Sequence, residues 1–181
     1  MKDRMTGVVL VLVSAVLLVA IGCGEEPAEE PVPEPSPEAE VTEDVQYARE
    51  LWAQISDYQT WTEPEGFQGW QEGMSPHGAV LRYYVNDVAE EDLMSDGAII
   101  VKANYSEEGE DALKSVTIME KREGYDPETG DWFYVKYAPD GTIMENPQGK
   151  KLAGLVGKGG AKGCIPCHAS AGGDDYLFMN D

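Results

Sequence analysis

The segment Cys164–His168 carries the residues whose types and spacing point most directly to chemistry. It reads Cys-Ile-Pro-Cys-His, so two thiols lie three residues apart and an imidazole follows the second. This spacing places both sulfurs on one face of a helical turn. It is the attachment signature of a c-type haem, in which the thiols of Cys164 and Cys167 add to the two vinyl groups. His168 is then the predicted proximal ligand of the iron.

Two other uses of a cysteine pair compete with haem attachment. A thioredoxin-type dithiol requires a βαβ context, which the sequence does not show. A zinc site requires four ligands, and outside the motif the chain has only His77 and Cys23 as further histidine or cysteine residues. We therefore predict one covalent haem c per chain.

Residues 1–22 have the pattern of an export signal, with Lys2 and Arg4 ahead of an apolar run. The run is slightly shorter than the ~20 residues that a membrane span needs. Residues 20–23 (Ala-Ile-Gly-Cys) resemble the lipobox of bacterial lipoproteins. The prediction is cleavage before Cys23, a lipid on that thiol, and a location in the periplasm or on the outer face of a bacterial membrane. An uncleaved membrane anchor is the alternative.

Residues 23–44 differ sharply in composition from what precedes them. From Gly24 to Asp44 there are nine acidic residues, five prolines and no basic residue. Such a segment buries too little apolar surface to fold, and its charges and prolines keep it extended. We predict that the lipidated Cys23 and this disordered tether precede a haem domain over residues 45–181.

The predicted haem domain is itself acidic, with 24 acidic and 11 basic side chains. This balance argues against a nucleic-acid partner and against docking on anionic lipid. It is compatible with a redox partner that has a basic docking face. The predicted contact with the membrane is the lipid anchor.

Hydrophobic periodicity predicts an α+β fold. Apolar residues recur at helical spacing over about 45–57, with Thr42 or Asp44 as the cap. Runs rich in Val, Ile and Tyr predict strands near 79–85, 98–105, 115–121 and 132–138. We expect an antiparallel β-sheet with an N-terminal helix and a C-terminal haem-binding helical segment.

Three segments, taken with the haem motif, resemble the cytochrome P-460 family. That family has an arginine strand, then Asp-Gly before an apolar strand ending in lysine, then Gly-Asn/Asp-Trp before an aromatic strand. Here these are residues 81–85 (LRYYV), 96–102 (DGAIIVK) and 130–134 (GDWFY). Their order and spacing match along most of residues 75–180.

The resemblance implies a five-coordinate haem in a usually dimeric protein. In hydroxylamine-oxidising members the lysine at the position of Lys102 is bonded to the haem ring. The related cytochromes c-prime-beta share the fold, lack this crosslink and bind nitric oxide. A lysine attacks carbon only as the free amine, so a crosslink requires a lowered pKa. Lys102 is predicted to line the haem, and a solvated outward lysine is the alternative.

His77 departs from the family pattern and is the second of the chain's two histidines. It is predicted to act as a sixth iron ligand or as a general base; a loop histidine bonded to backbone is the alternative. Arg82 is predicted to lie near the haem, where it stabilises anionic nitrogen intermediates or pairs with a propionate. Met119 and Met144 are weaker ligand candidates.

Two classes of function remain open. One is a haem oxidoreductase for small nitrogen compounds such as hydroxylamine, with Lys102, Arg82 and His77 in the catalytic site and electrons passing to a partner. The other is a non-enzymatic cytochrome, either an electron carrier or a nitric oxide binder. An open distal site with Lys102 attached to the haem favours the first, and ligation by His77 favours the second.

Overall fold

The centre of the fold is a six-stranded antiparallel sheet in which the strands neighbour one another in chain order. A computed structural model describes residues 42–180. The predicted export signal, Cys23 and most of the predicted tether lie outside the described residues. The strands are β1 (Gln71–Glu72), β2 (Val80–Val85), β3 (Ile99–Tyr105), β4 (Leu113–Lys121), β5 (Trp132–Tyr137) and β6 (Ala153–Gly154).

The four strands predicted from the sequence are confirmed as β2 to β5, each within two residues of the expected bounds. The two outer strands, β1 and β6, were not predicted. Each has only two residues, which is too short to produce a period-2 pattern. The observed α+β architecture, with a helix ahead of the sheet, agrees with the expected fold class.

The N-terminal helix α1 spans Glu43–Gln54, against the predicted 45–57. Thr42 is its cap, and its hydroxyl accepts a hydrogen bond from the backbone N–H of Val45 at 3.3 Å. Such a cap stabilises a helix by about 1 kcal/mol. The helix therefore begins two residues before the predicted start, and Glu43 and Asp44 form its first turn rather than the end of the tether.

The sheet separates two hydrophobic clusters, because successive side chains of a strand point to opposite faces. All seven residues of β3 are buried. Val101 and Tyr105 pack in the cluster that contains the apolar residues of α1. Ile100 lies in the other cluster, with Tyr134 and with Ile165 of the haem motif. We call these the helix face and the motif face of the sheet.

The remaining helical segments are short. Helix α2 spans Asp87–Glu91 and helix α3 spans Cys164–His168. Single 3₁₀ turns occur at Tyr58–Thr60, Glu110–Ala112, Pro127–Thr129, Gly172–Asp174 and Phe178–Asn180. No helix among residues 42–180 combines the length and the apolar character that crossing a bilayer requires.

Candidate functional site

A cavity of about 480 Å³ opens on the motif face of the sheet, a size typical of small-molecule and cofactor sites. Its floor consists of two rows of side chains that run across β3, β4 and β5. The paired residues of the first row are Ile100, Met119 and Tyr134, and those of the second row are Lys102, Thr117 and Lys136. The floor therefore combines an apolar row with a polar row.

The haem motif closes the cavity from the C-terminal side. Cys164, Cys167 and His168 lie on α3 and all three line the cavity. Both cysteines are free thiols. Gly163 precedes them at φ 137°, and a Cβ there would lie 2.8 Å from the carbonyl oxygen of Val156. A glycine is required at this position because the chain turns close against the preceding segment.

The imidazole of His168 is oriented by a backbone contact. Its Nδ1 lies 2.8 Å from the carbonyl oxygen of Tyr176, which can only accept, so Nδ1 carries the proton and Nε2 is left with a free lone pair. Burial and, to a smaller extent, the positive charge of Lys102 together lower the pKa of His168 to about 4. The ring is therefore neutral, which is the form that binds a metal.

Lys102 lies in the floor of the cavity and is only 7% exposed. Its Nζ is 5.5 Å from the ring centre of Tyr83, the residue paired with it on β2. Burial lowers the pKa of Lys102 to about 8, while the nearby Cys167 and Cys164 thiols act in the opposite direction. A large fraction of this amine is therefore neutral near pH 8, the state in which a lysine is nucleophilic.

His77 also lines the cavity, in the loop that precedes β2. Its Nδ1 is 3.2 Å from Oδ1 of Asn104 and 3.3 Å from Oγ1 of Thr117. Burial and, to a smaller extent, the nearby Lys102 and His168 together lower the pKa of His77 to about 4. The imidazole of His77 is thus within hydrogen-bond distance of side chains of β3 and β4. The alternative prediction, a histidine held by its loop, expected hydrogen bonds to backbone instead.

Arg82 does not lie at the cavity, so its predicted place near the haem is wrong. It is paired with Ala103, which belongs to the helix-face cluster. Its guanidinium donates to Glu63 at 2.7 Å and to Glu110 at 3.0 Å. Lys102 is paired with the next residue of β2, and neighbouring residues on a strand face opposite sides. Arg82 therefore supports the helix face and does not reach the cavity.

Tyr134, Lys136, Asn104 and Thr117 were not predicted from the sequence as site residues. Tyr134 and Lys136 are two residues apart on β5 and both line the cavity, so the period-2 alternation of side chains along that strand was the available signal. Of the methionine candidates, Met119 lines the cavity, and Met144 is not among the lining residues.

The charge of the cavity lining also suits a haem. The side chains of Lys102, Lys136 and Lys162 line it, and no Asp or Glu among residues 42–180 does so. In a chain with a net charge of −21, three cations without an acidic neighbour in the lining suit a ligand with carboxylate groups.

The hydroxyl of Tyr134 gives an independent indication of a missing partner. It is buried, and within the described part of the chain it has no hydrogen-bond partner. A buried polar group without a partner costs about 1–3 kcal/mol. Because this hydroxyl belongs to a residue of the cavity floor, a polar group of the bound cofactor is the natural partner.

The comparison with protein families matches residues 55–179 to Cytochrome P460. A search among curated proteins found no match. The matched range includes β1 to β6, the haem motif and every residue placed at the cavity above. The chain therefore belongs to the Cytochrome P460 family and is a haem protein.

Proposed function

We propose that this protein is an exported, lipid-anchored c-type haem protein that oxidises small nitrogen compounds of the hydroxylamine type and passes the electrons to a partner. One observation carries the proposal. A single cavity is lined by residues from three distant parts of the sequence, namely His77, Lys102 and the motif residues Cys164, Cys167 and His168.

Each of these residues has a distinct role in the proposal. Cys164 and Cys167 hold one haem through thioether bonds, and His168 offers its unprotonated Nε2 to the iron. The haem supplies a ligand-binding iron and a one-electron acceptor. Lys102 would attach to the ring through its amine, with an N–C bond replacing an N–H and a ring C–H bond while a two-electron oxidant such as a peroxide takes up the electrons. His77 would accept a proton from the bound substrate.

The proposal is tested by the optical spectrum of the purified holoprotein, recorded with and without hydroxylamine. We expect a high-spin ferric haem. With a soluble one-electron acceptor added in excess, we expect hydroxylamine to reduce the acceptor faster than it does without the protein, because one iron takes up one electron at a time and oxidation of the substrate releases more than one. An acceptor that is reduced no faster with the protein than without it would exclude this activity.

A non-enzymatic cytochrome is the second candidate, and ligation of the iron by His77, which lines the cavity, would favour it. If His77 ligates the iron, the wild type is six-coordinate and suited to electron transfer. If the distal side is open and hydroxylamine is not oxidised, the protein is suited to binding nitric oxide.

The spin state of the His77→Ala variant separates these cases. We expect the wild type to be high-spin already and to bind nitric oxide readily, so the substitution leaves the ferric spectrum high-spin. Electron paramagnetic resonance of both proteins is the measurement. A low-spin wild type that becomes high-spin in the variant would show ligation by His77 and support the second candidate.

The partner is proposed to be a redox protein with a basic docking face, in keeping with the net charge of −21. A homodimer is proposed from the resemblance to the family. Sedimentation of the holoprotein tests the dimer, and the salt dependence of electron transfer tests the charge of the partner.

Anchoring at Cys23 predicts that Cys23→Ala releases the haem domain from the membrane or blocks its maturation, without loss of haem attachment. Each acyl methylene contributes ~0.8 kcal/mol to membrane partitioning, so the lipidated chain is firmly held. Metabolic labelling with a radioactive fatty acid is the measurement. Unlabelled protein that retains residues 1–22 would instead indicate an uncleaved anchor.

A further inference from the structure

Asn104 lies beneath the loop of His77 and is 1% exposed. It is on β3, two residues after Lys102, and faces the same side of the sheet. Its Nδ2 is 3.1 Å from the carbonyl oxygens of both Lys102 and Ser115. Carbonyl oxygens only accept hydrogen bonds, so the NH₂ group of the amide must face them. The orientation of the carboxamide is thereby determined.

The opposite side of this carboxamide faces the histidine. Oδ1 of Asn104 is 3.2 Å from Nδ1 of His77. An amide oxygen also only accepts, so the proton of this hydrogen bond belongs to Nδ1. Oγ1 of Thr117, 3.3 Å from the same nitrogen, is within 3.3 Å of the Lys102 carbonyl, to which it can donate its own proton. Both neighbours of Nδ1 therefore act as acceptors.

This network determines what His77 offers to the cavity. A neutral imidazole has one ring proton, and with that proton on Nδ1 the other nitrogen, Nε2, is an acceptor. Within the described residues no hydrogen bond to Nε2 is seen. His77 lines the same cavity as His168 and Lys102, so Nε2 is available to a ligand bound there.

We propose that Asn104 is a positioning residue that holds His77 in the Nδ1–H tautomer, so that the cavity presents an acceptor and favours ligands with protons to give, such as hydroxylamine, over aprotic ligands such as nitric oxide. This inference rests on the proposed function. Beyond that function, it assigns to Asn104 the control of which ligand the cavity prefers, because the hydrogen bond with a neighbouring residue selects the tautomer of a histidine.

The tautomer is measured directly by long-range ¹H–¹⁵N NMR of the ferrous, CO-bound holoprotein, which is diamagnetic. We expect Nδ1 of His77 at a protonated-type shift and Nε2 at an unprotonated-type shift. A wild-type ring protonated on Nε2, or on both nitrogens, would overturn the proposal. This measurement needs no variant, so it decides even if substitutions at Asn104 impair folding.

Asn104→Leu removes the acceptor and leaves the tautomer free to change. We expect the ratio of hydroxylamine affinity to nitric oxide affinity to fall about tenfold, the loss typical of one hydrogen bond. The affinities come from the initial binding phase after rapid mixing. Ser115→Ala is the matched control, since it removes a hydroxyl 3.2 Å from Nδ2 of Asn104 but keeps both carbonyl acceptors.

The outcomes separate this inference from the proposed function. If the tautomer of His77 and the affinity ratio are both unchanged in Asn104→Leu, Asn104 does not position His77 and the inference is wrong. A low-spin wild type with Nε2 bound to the iron would also overturn it, since Nε2 would not meet a ligand. An Nδ1–H ring and a lowered ratio in a protein that does not oxidise hydroxylamine would support the inference while excluding the proposed activity.

Discussion

Lys102→Ala is expected to abolish hydroxylamine oxidation and to return a far red-shifted Soret band to an ordinary c-type position. If the amine is bonded to the ring, that bond distorts the macrocycle and changes its electronics, and the substitution removes it. The amine is suited to form it, because burial lowers the pKa of Lys102 to about 8 and leaves part of it unprotonated. The optical spectrum and the rate of hydroxylamine oxidation are the measurements.

Mass spectrometry of tryptic haem peptides tests for the crosslink itself. We expect the wild type to give a haem joined to two segments, one with Cys164 and Cys167 and one with Lys102. In Lys102→Ala only the first segment should remain. Haem recovered on the cysteine segment alone, from mature and fully active wild type, would exclude the crosslink and favour the non-enzymatic candidate.

Lys136→Ala is the matched control for this experiment. Lys136 belongs to the same cross-strand row of the floor and also lines the cavity. Burial lowers its pKa as well, but its Nζ donates to the carbonyl oxygen of Pro76 at 3.1 Å. We expect this variant to keep the crosslinked peptide and the red-shifted Soret band. Loss of both in Lys136→Ala would show that the effect on the haem is not specific to Lys102.

The double variant Cys164→Ser/Cys167→Ser is expected to lose all covalently bound haem. A serine hydroxyl does not form the thioether bonds on which attachment depends. Without those bonds, no haem ring is held within reach of the Lys102 amine. Haem staining on a denaturing gel is the measurement. We expect each single variant to retain some stain through its remaining thiol.

Cys23→Ala is the control for the cysteine pair, because it removes the chain's third cysteine and leaves the motif intact. It should retain full haem stain. Stain that persists in the double variant at the wild-type level would mean that Lys102 alone holds the haem, which would contradict the assignment of the motif as the main anchor.

Local patterns were sufficient to predict the haem motif and the main strands. Cys164 to His168 are contiguous, so their spacing alone indicates attachment. The strands β2 to β5 were located because each spans at least six residues and includes three or more β-branched or aromatic side chains. Helix α1 was located from apolar residues at helical spacing, and its start differed by two residues because Thr42 is the cap. Hydrophobic periodicity is a local property of the sequence, and it was sufficient to locate these strands and this helix.

The tertiary structure alone decided which strand residues meet the cavity. Alternation placed Lys102 and Arg82 on definite faces of their own strands, but it did not relate one strand to the next. The pairing of Lys102 with Tyr83 puts Arg82 on the helix face. A shift of one residue in register would exchange the two faces. Register depends on contacts between strands, and no single strand sequence contains them.

The surroundings of His77 were likewise decided by the fold. The sequence by itself determined that the chain has a second imidazole outside the haem motif. Its contact with Asn104 spans 27 residues and its contact with Thr117 spans 40. Two strands and a loop must pack together before the tautomer of His77 is set. A hydrogen bond requires atoms within about 3 Å, and that proximity arises only once the sheet has assembled.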